Sequence, residues 1–261
     1  MENAIWNLFD LTDKNAVVTG ASGGIGYACA IGLAQAGANV VAHYNTNKKT
    51  ADKLVAEIRK MGKEAFAVQA DVSNYEDVNR MAKDIDEMWG KVDILFNNAG
   101  IGLTVDPEKS TKEEWLKVID TNLNGVFYCA QAFGKLMIRD GGGAIINMGS
   151  MSAEIINRPE EVSYSTSKAG VHLMTKGLAA CWAKYKIRVN AIAPGYIATE
   201  MSLPMMRSEP DWVKTNWTDW TPQRRIAEPE ELVGMVVYLA SEASSFVTGS
   251  CLIIDGGFTV Y

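Results

Sequence analysis

Histidine and cysteine are scarce in this chain, two of the first and four of the second among 261 residues. A zinc site needs a close set of such ligands, and His43 and His172 stand far apart with no cysteine pair beside either. Cys29, Cys129, Cys181 and Cys251 form no C-x-x-C motif and are scattered through apolar segments. They read as reduced core thiols of a cytoplasmic protein rather than a disulfide framework. No apolar run approaches the 20 or so residues of a membrane span, and the start carries no basic-plus-apolar leader pattern, so neither membrane nor secretion is expected. The sequon Asn216-Trp217-Thr218 carries no weight without such a leader. Positive charge is not in excess: 25 Lys and Arg face 31 Asp and Glu, a net charge of -6. Nucleic acid, which needs a basic face to neutralise its phosphates, is not an expected partner. A local basic pocket for one phosphate group stays open.

What is present is the material of an α/β protein. Hydrophobic residues make up 48% of the chain, enough for a large core. No linker or low-complexity stretch divides it, so residues 1–261 read as a single domain. Short apolar, β-branched runs at 16–19, 39–43, 65–69, 94–97, 144–148, 188–192 and 251–254 alternate with helix-like stretches such as 50–61 and 75–89. Nearly continuous apolar strands are those covered on both faces. The pattern predicts a Rossmann-like, doubly wound domain with a seven-stranded parallel sheet flanked by helices. Residues 198–222 break the alternation with Pro204, Pro210 and Pro222 among Met201, Met205, Met206, Trp212, Trp217 and Trp220. A long apolar insertion of this kind reads as a lid over a site, the alternatives being a subunit contact or a surface flap.

The first strand runs into Thr19-Gly20-Ala21-Ser22-Gly23-Gly24-Ile25-Gly26 and then a helix. Glycines there let the backbone approach a pyrophosphate, and the helix N-terminus offers free N–H groups. The bland alternative is a tight strand-to-helix turn. Gly20 to Gly24 also spell G-x-S-x-G, the hydrolase nucleophile elbow. That motif follows a later, central strand, and no histidine occupies a suitable C-terminal loop, so the hydrolase reading is set aside. His43 is expected to end a strand near the cofactor, and His172 to pack on a helix.

Further along, Tyr164-Ser165-Thr166-Ser167-Lys168 opens a helical stretch reaching about Lys184. The i, i+4 spacing places the phenol and the ammonium on one helix face. A nearby ammonium favours phenolate, so Tyr164 is expected below its usual value of about 10, suited to acid/base work. Such a pair is often only a solvated helix face. Here it follows the fifth strand, at the carboxyl ends where parallel sheets bind ligands.

Taken in order, these pieces resemble the classical short-chain dehydrogenase/reductases from about Leu11 to Gly257. TGASGGIG at 19–26 is followed by DV at 71–72, NNAG at 97–100, Asn122 in TNLNGVF, Ser150 in INMGSMS, YSTSK at 164–168, PG at 194–195 and DGG at 255–257. The resemblance implies that Tyr164 exchanges a proton with the substrate oxygen. Lys168 would bind the nicotinamide ribose and lower the tyrosine pKa, and Ser150 would stabilise the substrate oxygen. Asn122 would hold a water of a proton relay. Gly20, Ser22, Gly24, Ile25 and Gly26 would cradle the cofactor, with Asp71 and Val72 at the adenine. Asn98, Ala99 and Gly100 would form the floor, and Pro194, Gly195, Ile197 and Thr199 would embrace the nicotinamide. One departure concerns the serine, which in the family lies 13 residues before the tyrosine. Ser150 lies 14 before and Ser152 lies 12 before; Ser150 is preferred because it directly follows the strand. Relatives also assemble commonly as tetramers, through helices beginning near Tyr164 and Glu230 and through C-terminal strands, and the tail 258–261 suits such a contact. A homotetramer is therefore expected.

After the second strand no carboxylate appears before Asp52, so the selector for NAD is missing. Asn45 and Thr46 could bond a 2′-phosphate and Lys48 or Lys49 neutralise it, which favours NADP(H) over NAD(H). The substrate is expected to be a small carbonyl or alcohol. The segment 150–159 resembles polyol dehydrogenases and ketose (sorbose-type) reductases, and Ser152, Glu154, Asn157 and Arg158 could bond sugar hydroxyls beside Ser150 and Tyr164. A β-ketoacyl thioester is the alternative, as in 3-oxoacyl carrier-protein reductases, and broad-specificity carbonyl reduction is another. A cofactor-binding regulator without catalysis is opposed by the complete set Asn122, Ser150, Tyr164 and Lys168.

Overall fold

Val17 and Val18 are neighbours in sequence, both fully buried, and belong to different cores. Side chains along a strand alternate between faces, so a strand covered on both sides must be apolar at consecutive positions. The computed structural model describes residues 4–261; the expectation that no leader opens the chain rests partly on residues 1–3, outside the described residues. Its strands are β1 (Asn15–Val18), β2 (Asn39–Tyr44), β3 (Ala65–Gln69), β4 (Ile94–Asn97), β5 (Gly143–Met148), β6 (Ile187–Pro194) and β7 (Cys251–Ile254). They form one seven-stranded parallel sheet in the order β3-β2-β1-β4-β5-β6-β7. The α-helices are α1 (Ala4–Asn7), α2 (Gly24–Gln35), α3 (Lys48–Lys60), α4 (Tyr75–Trp89), α5 (Lys112–Ile119), α6 (Gly125–Asp140), α7 (Val162–Trp182), α8 (Leu203–Ser208), α9 (Pro210–Val213) and α10 (Val233–Ala240).

One core joins α2, α3 and α10 to residues such as Val18, Val40, Phe96 and Ile146. The other joins α4, α6 and α7 to Val17, Val41, Leu95 and Ile145. Each fully buried Leu, Ile or Phe contributes about 1.5–3 kcal/mol. Capping matches the sequence: Asn74 accepts from the Asp77 N–H to start α4, and Gly90, left-handed at φ 67°, ends it. Among the described residues no helix is long and apolar enough to cross a membrane.

Two features differ from the sequence reading. Cys29 and Cys129 are buried, but Cys181 is exposed and Cys251 only partly covered, because α7 and edge strand β7 each turn one side outward. Residues 198–222 are not irregular throughout: α8, α9 and a π-helical turn at Lys214–Thr218 order the segment. Phe258 of the tail packs edge-on against Tyr196 at 5.3 Å, while Val260 and Tyr261 stay exposed.

The strand order changes direction between β1 and β4. Successive connections run one way to β3 and the other way to β7, and the crevice opens above the carboxyl ends where the two halves diverge.

Candidate active site

Lys168 is 2% exposed, yet its ammonium has a defined place: Nζ donates to the Met148 carbonyl at 2.9 Å and lies 5.5 Å from the Tyr164 ring centroid. α7 sets this geometry by carrying the two residues one turn apart, and β5 ends at the accepting carbonyl. Burial pushes the ammonium down to about 8. Tyr164 contradicts the expectation of a lowered value. Its phenol is pushed up to about 12, because burial outweighs the hydrogen bond with Ser150, and the charge of Glu161 adds to the rise.

Ser150 begins a single 3-10 turn, Met151–Ala153, and its Oγ accepts from the Ser152 N–H at 3.1 Å. The Ser152 hydroxyl is committed elsewhere, donating to Asn157 Oδ1 at 2.8 Å. Of the two serines, Ser150 is the one whose hydroxyl acts on the Tyr164 phenol, opposing the rise that burial causes. Asn122 is fully buried in a π-helical turn, Asp120–Asn124, between α5 and α6. Its Oδ1 accepts from the Ile101 N–H at 2.8 Å, and its Nδ2 donates to the Ile101 carbonyl at 2.8 Å and to Ser167 Oγ at 3.2 Å. π-Turns inside helices frequently mark functional sites.

Tyr164, Ser150 and Lys168 all border one crevice of about 820 Å³, together with Gly20, Ser22, Gly24, Ile25, Asn98, Ala99, Gly100, Pro194, Gly195, Ile197 and Thr199. That volume suits a ligand of cofactor-plus-substrate size. The glycine turn is built for close approach. Gly20 has φ 63° and a Cβ there would meet Ala99 Cα at 2.9 Å, while one on Gly26 would meet the Gly20 carbonyl oxygen at 2.4 Å. Gly26 thus packs the turn on itself, and Gly20, Gly23 and Gly24 leave bare backbone along the crevice.

Residues 20–259 match the family described as enoyl-(acyl carrier protein) reductase. A sorbose reductase of Candida albicans is 39% identical over 98% of this chain and 90% of its own. A 3-oxoacyl-[acyl-carrier-protein] reductase of Synechocystis is 40% identical over 96% of this chain and 99% of its own. The crystal structure of a gluconate 5-dehydrogenase from Burkholderia cenocepacia, in complex with NADP and tartrate, superposes with a TM-score of 0.93 at 36% identity, covering 98% and 99% of the two chains. The chain belongs to the short-chain dehydrogenase/reductase family. It is an oxidoreductase of the class acting on CH–OH groups.

Several residues support the site through bonds made behind the crevice wall, and one of them, Asn98, also borders the crevice. Asn98 donates from Nδ2 to the Thr19 and Gly20 carbonyls, at 2.9 and 3.1 Å, and so holds the short-chain dehydrogenase glycine turn from below. His43 lies in β2 beside the turn, as expected. The Gly20 N–H donates to its Nδ1 at 3.0 Å, and Nε2 lies 3.0 Å from the Ala70 carbonyl. Those partners fit one neutral tautomer, and burial holds the imidazole down at about 4. Asp71 and Val72 do not border the crevice: Asp71 Oδ1 accepts from the N–H and hydroxyl of Ser73, and Val72 is buried against Gly125.

Other expectations are corrected. Asn45 and Thr46 are exposed and do not line the crevice; Asn47 and Thr50 do. Asn47 and Thr50 form the N-terminal cap of α3, where the Thr50 N–H donates to Asn47 Oδ1 at 3.2 Å. Lys48 is engaged with Asp52 at 2.7 Å. Glu154 also misses the crevice, because the turn at Met151–Ala153 directs its carboxylate to His172 Nδ1 at 2.9 Å. Sequence reasoning missed Tyr196, Glu161 and Glu200, which border the crevice. Tyr196 stacks on Trp217 at 4.2 Å and 13°, and accepts from Asn157 Nδ2 at 3.0 Å. The Glu200 carboxylate lies along Gly23 and Gly24, about 3.3 Å from where their Cβ atoms would stand. Tyr196 could have been found from its place between Gly195 and Ile197 and Glu161 from its place one turn before Tyr164, whereas Glu200 has no such signal.

Proposed function

We propose that this oxidoreductase uses NADP(H) to interconvert a ketose and a polyol, with Tyr164 as the acid/base. The observation that carries the reading is the half-buried Tyr164 with the buried Ser150 and Lys168 beside a glycine turn with bare backbone, all on one crevice. The fit to a dinucleotide rests on Gly20, Ser22, Gly24 and Ile25 at the pyrophosphate, Asn98 to Gly100 as the floor, and Pro194, Gly195, Ile197 and Thr199 at the nicotinamide. When bound, the nicotinamide supplies or accepts the hydride.

The chain's own residues handle the proton. In reduction Tyr164 donates its phenolic proton to the carbonyl oxygen, and the Ser150 hydroxyl donates a second hydrogen bond to the same oxygen as charge develops on it. A phenol raised to about 12 stays protonated at neutral pH, which suits this direction. Lys168, cationic at pH 7, offsets the phenolate left behind. Asn122, fixed against Ile101, holds the relay that returns the proton.

The preference for NADP(H) is supported by the missing carboxylate after β2 and by the NADP complex of the gluconate 5-dehydrogenase. The ketose reading is supported by the polar lining from Ser152, Asn157 and Arg158 and by similarity to the sorbose reductase. Reduction of a 3-oxoacyl thioester is the second reading, favoured by the Synechocystis relative. The segment 198–222 acts as the lid, with Met205 and Trp217 on the crevice. Val162 and Leu173 expose apolar surface on α7, which suits the expected homotetramer.

The test follows NADPH oxidation by absorbance with ketoses, diketones and acyl thioesters. Ketoses are expected to turn over, and Tyr164→Phe to lower kcat by at least about a thousandfold with NADPH affinity retained. Retained turnover in that variant removes Tyr164 from the role; turnover of thioesters alone replaces the ketose reading.

A further inference from the structure

Buried N–H donors almost always find an acceptor. Arg158 Nε and Trp217 Nε1 do not: both are buried, and neither has a hydrogen-bond partner among the described residues. Both residues border the crevice that holds Tyr164. They come from different parts of the chain, the loop before α7 and the π-turn Lys214–Thr218, and Trp217 is only 4% exposed.

The surroundings hold these side chains in place without satisfying them. The Arg158 guanidinium lies over the Trp212 ring at 5.6 Å, and Trp212 meets Trp217 edge-on at 6.0 Å. Arg158 Nη1 is 3.1 Å from Glu161 Oε1, and Thr104 Oγ1 donates to that same carboxylate oxygen at 3.1 Å. By contrast Ser152, Asn157 and Tyr196 bond one another in a chain. Ser152 and Asn157, two of the groups named from sequence as sugar contacts, are therefore already engaged, whereas Arg158, a third, and Trp217 each keep a donor without an acceptor.

Resting on the ketose reading above, we propose that Arg158 and Trp217 form a distal subsite donating hydrogen bonds to hydroxyl oxygens at the far end of a neutral polyhydroxy ketone. An alkyl or acyl chain brings no acceptor and leaves both donors dry, which a polar site penalises strongly. A carboxylate-ended substrate brings acceptors, but it must place its charge beside Glu161, which already neutralises Arg158, and on the same crevice as Glu200. A hydroxyl does neither. Both donor atoms are covered by neighbouring side chains, so the contacts form as the segment with Met205, Trp212 and Trp217 reseats over the ligand. The substrate thereby couples its own recognition to closure of the lid.

The experiment compares kcat/KM for L-sorbose, its 6-deoxy analogue, 5-ketogluconate and an acetoacetyl thioester in the wild type, Trp217→Phe and Arg158→Met. Phe keeps most of the ring and Met most of the stem, so each change removes mainly the donor. Wild type is expected to favour sorbose over the deoxy analogue and over 5-ketogluconate by about tenfold or more. Each variant is expected to collapse the sorbose-to-deoxy ratio towards one, mainly through KM. Turnover of sorbose with that ratio unchanged in both variants, or a wild-type preference for 5-ketogluconate, overturns this inference and leaves the ketose reading standing. Wild-type activity on the thioester alone overturns both. Should Arg158→Met fail to fold, as judged by its melting curve, Trp217→Phe decides the matter.

Discussion

Tyr164 and Lys168 sit one turn apart, and burial moves them in opposite directions, the phenol up to about 12 and the ammonium down to about 8. Desolvation disfavours whichever form is charged, so a phenol and an amine respond with opposite sign. Spacing on a helix therefore says that two groups can meet; the depth at which they meet decides their protonation. Glu200 adds a charge that spacing did not reveal. Its carboxylate lies along Gly23 and Gly24, where the pyrophosphate is proposed to sit. Two anions there repel, weakly because Glu200 is solvent-exposed, by about 1 kcal/mol. Glu200→Gln is expected to bind NADPH several-fold more tightly in a fluorescence titration, with the gain shrinking as salt is added. An affinity equal to wild type at low salt means that the carboxylate swings clear without cost.

At the scale of elements, the π-turn between α5 and α6 is the departure with the clearest consequence. An uninterrupted helix would carry Asn122 at ordinary α-spacing; the wider turn holds its amide against both backbone polar groups of Ile101. Asn122→Ala leaves that half-buried N–H and carbonyl without their partner. The expected loss is about 2–4 kcal/mol of stability, read as a lower urea midpoint with an unchanged slope. A midpoint equal to wild type means that water or a shifted loop satisfies Ile101 as well as Asn122 does. The segment 198–222 follows the same logic in reverse. Its prolines and tryptophans obscured the periodicity, yet Pro204 and Pro210 sit in the first turns of α8 and α9, where proline is tolerated.

Across the whole molecule, His43 ties the glycine turn to acid stability. Its imidazole is held at about 4 in the fold against an ordinary 6.5. Between those values the unfolded chain binds more protons than the folded one, so stability is full above about pH 6.5 and falls as pH drops towards 4. The loss from this one group reaches about 3 kcal/mol. Denaturation of wild type and His43→Asn between pH 4.5 and 7 measures it: the variant is expected to show the shallower pH slope. Parallel slopes mean that carboxylates alone govern the acid limb.

The run of strands was legible from residue order, because a sheet covered on both faces demands consecutive apolar positions and glycine turns punctuate it. Val17 beside Val18, Gly20 with Gly26, and Tyr164 with Lys168 are local or periodic relations, and local relations survive in sequence. Sequence favoured Ser150 over Ser152 by its place at the strand end, and the 3-10 turn adds that the Ser152 hydroxyl donates to Asn157. Glu154 facing His172, Asn47 in place of Asn45, and the unpartnered donors of Arg158 and Trp217 came from the tertiary structure alone. Each depends on how a loop folds back over the strand ends, and that path is fixed by contacts between residues distant in the chain, which no spacing rule records.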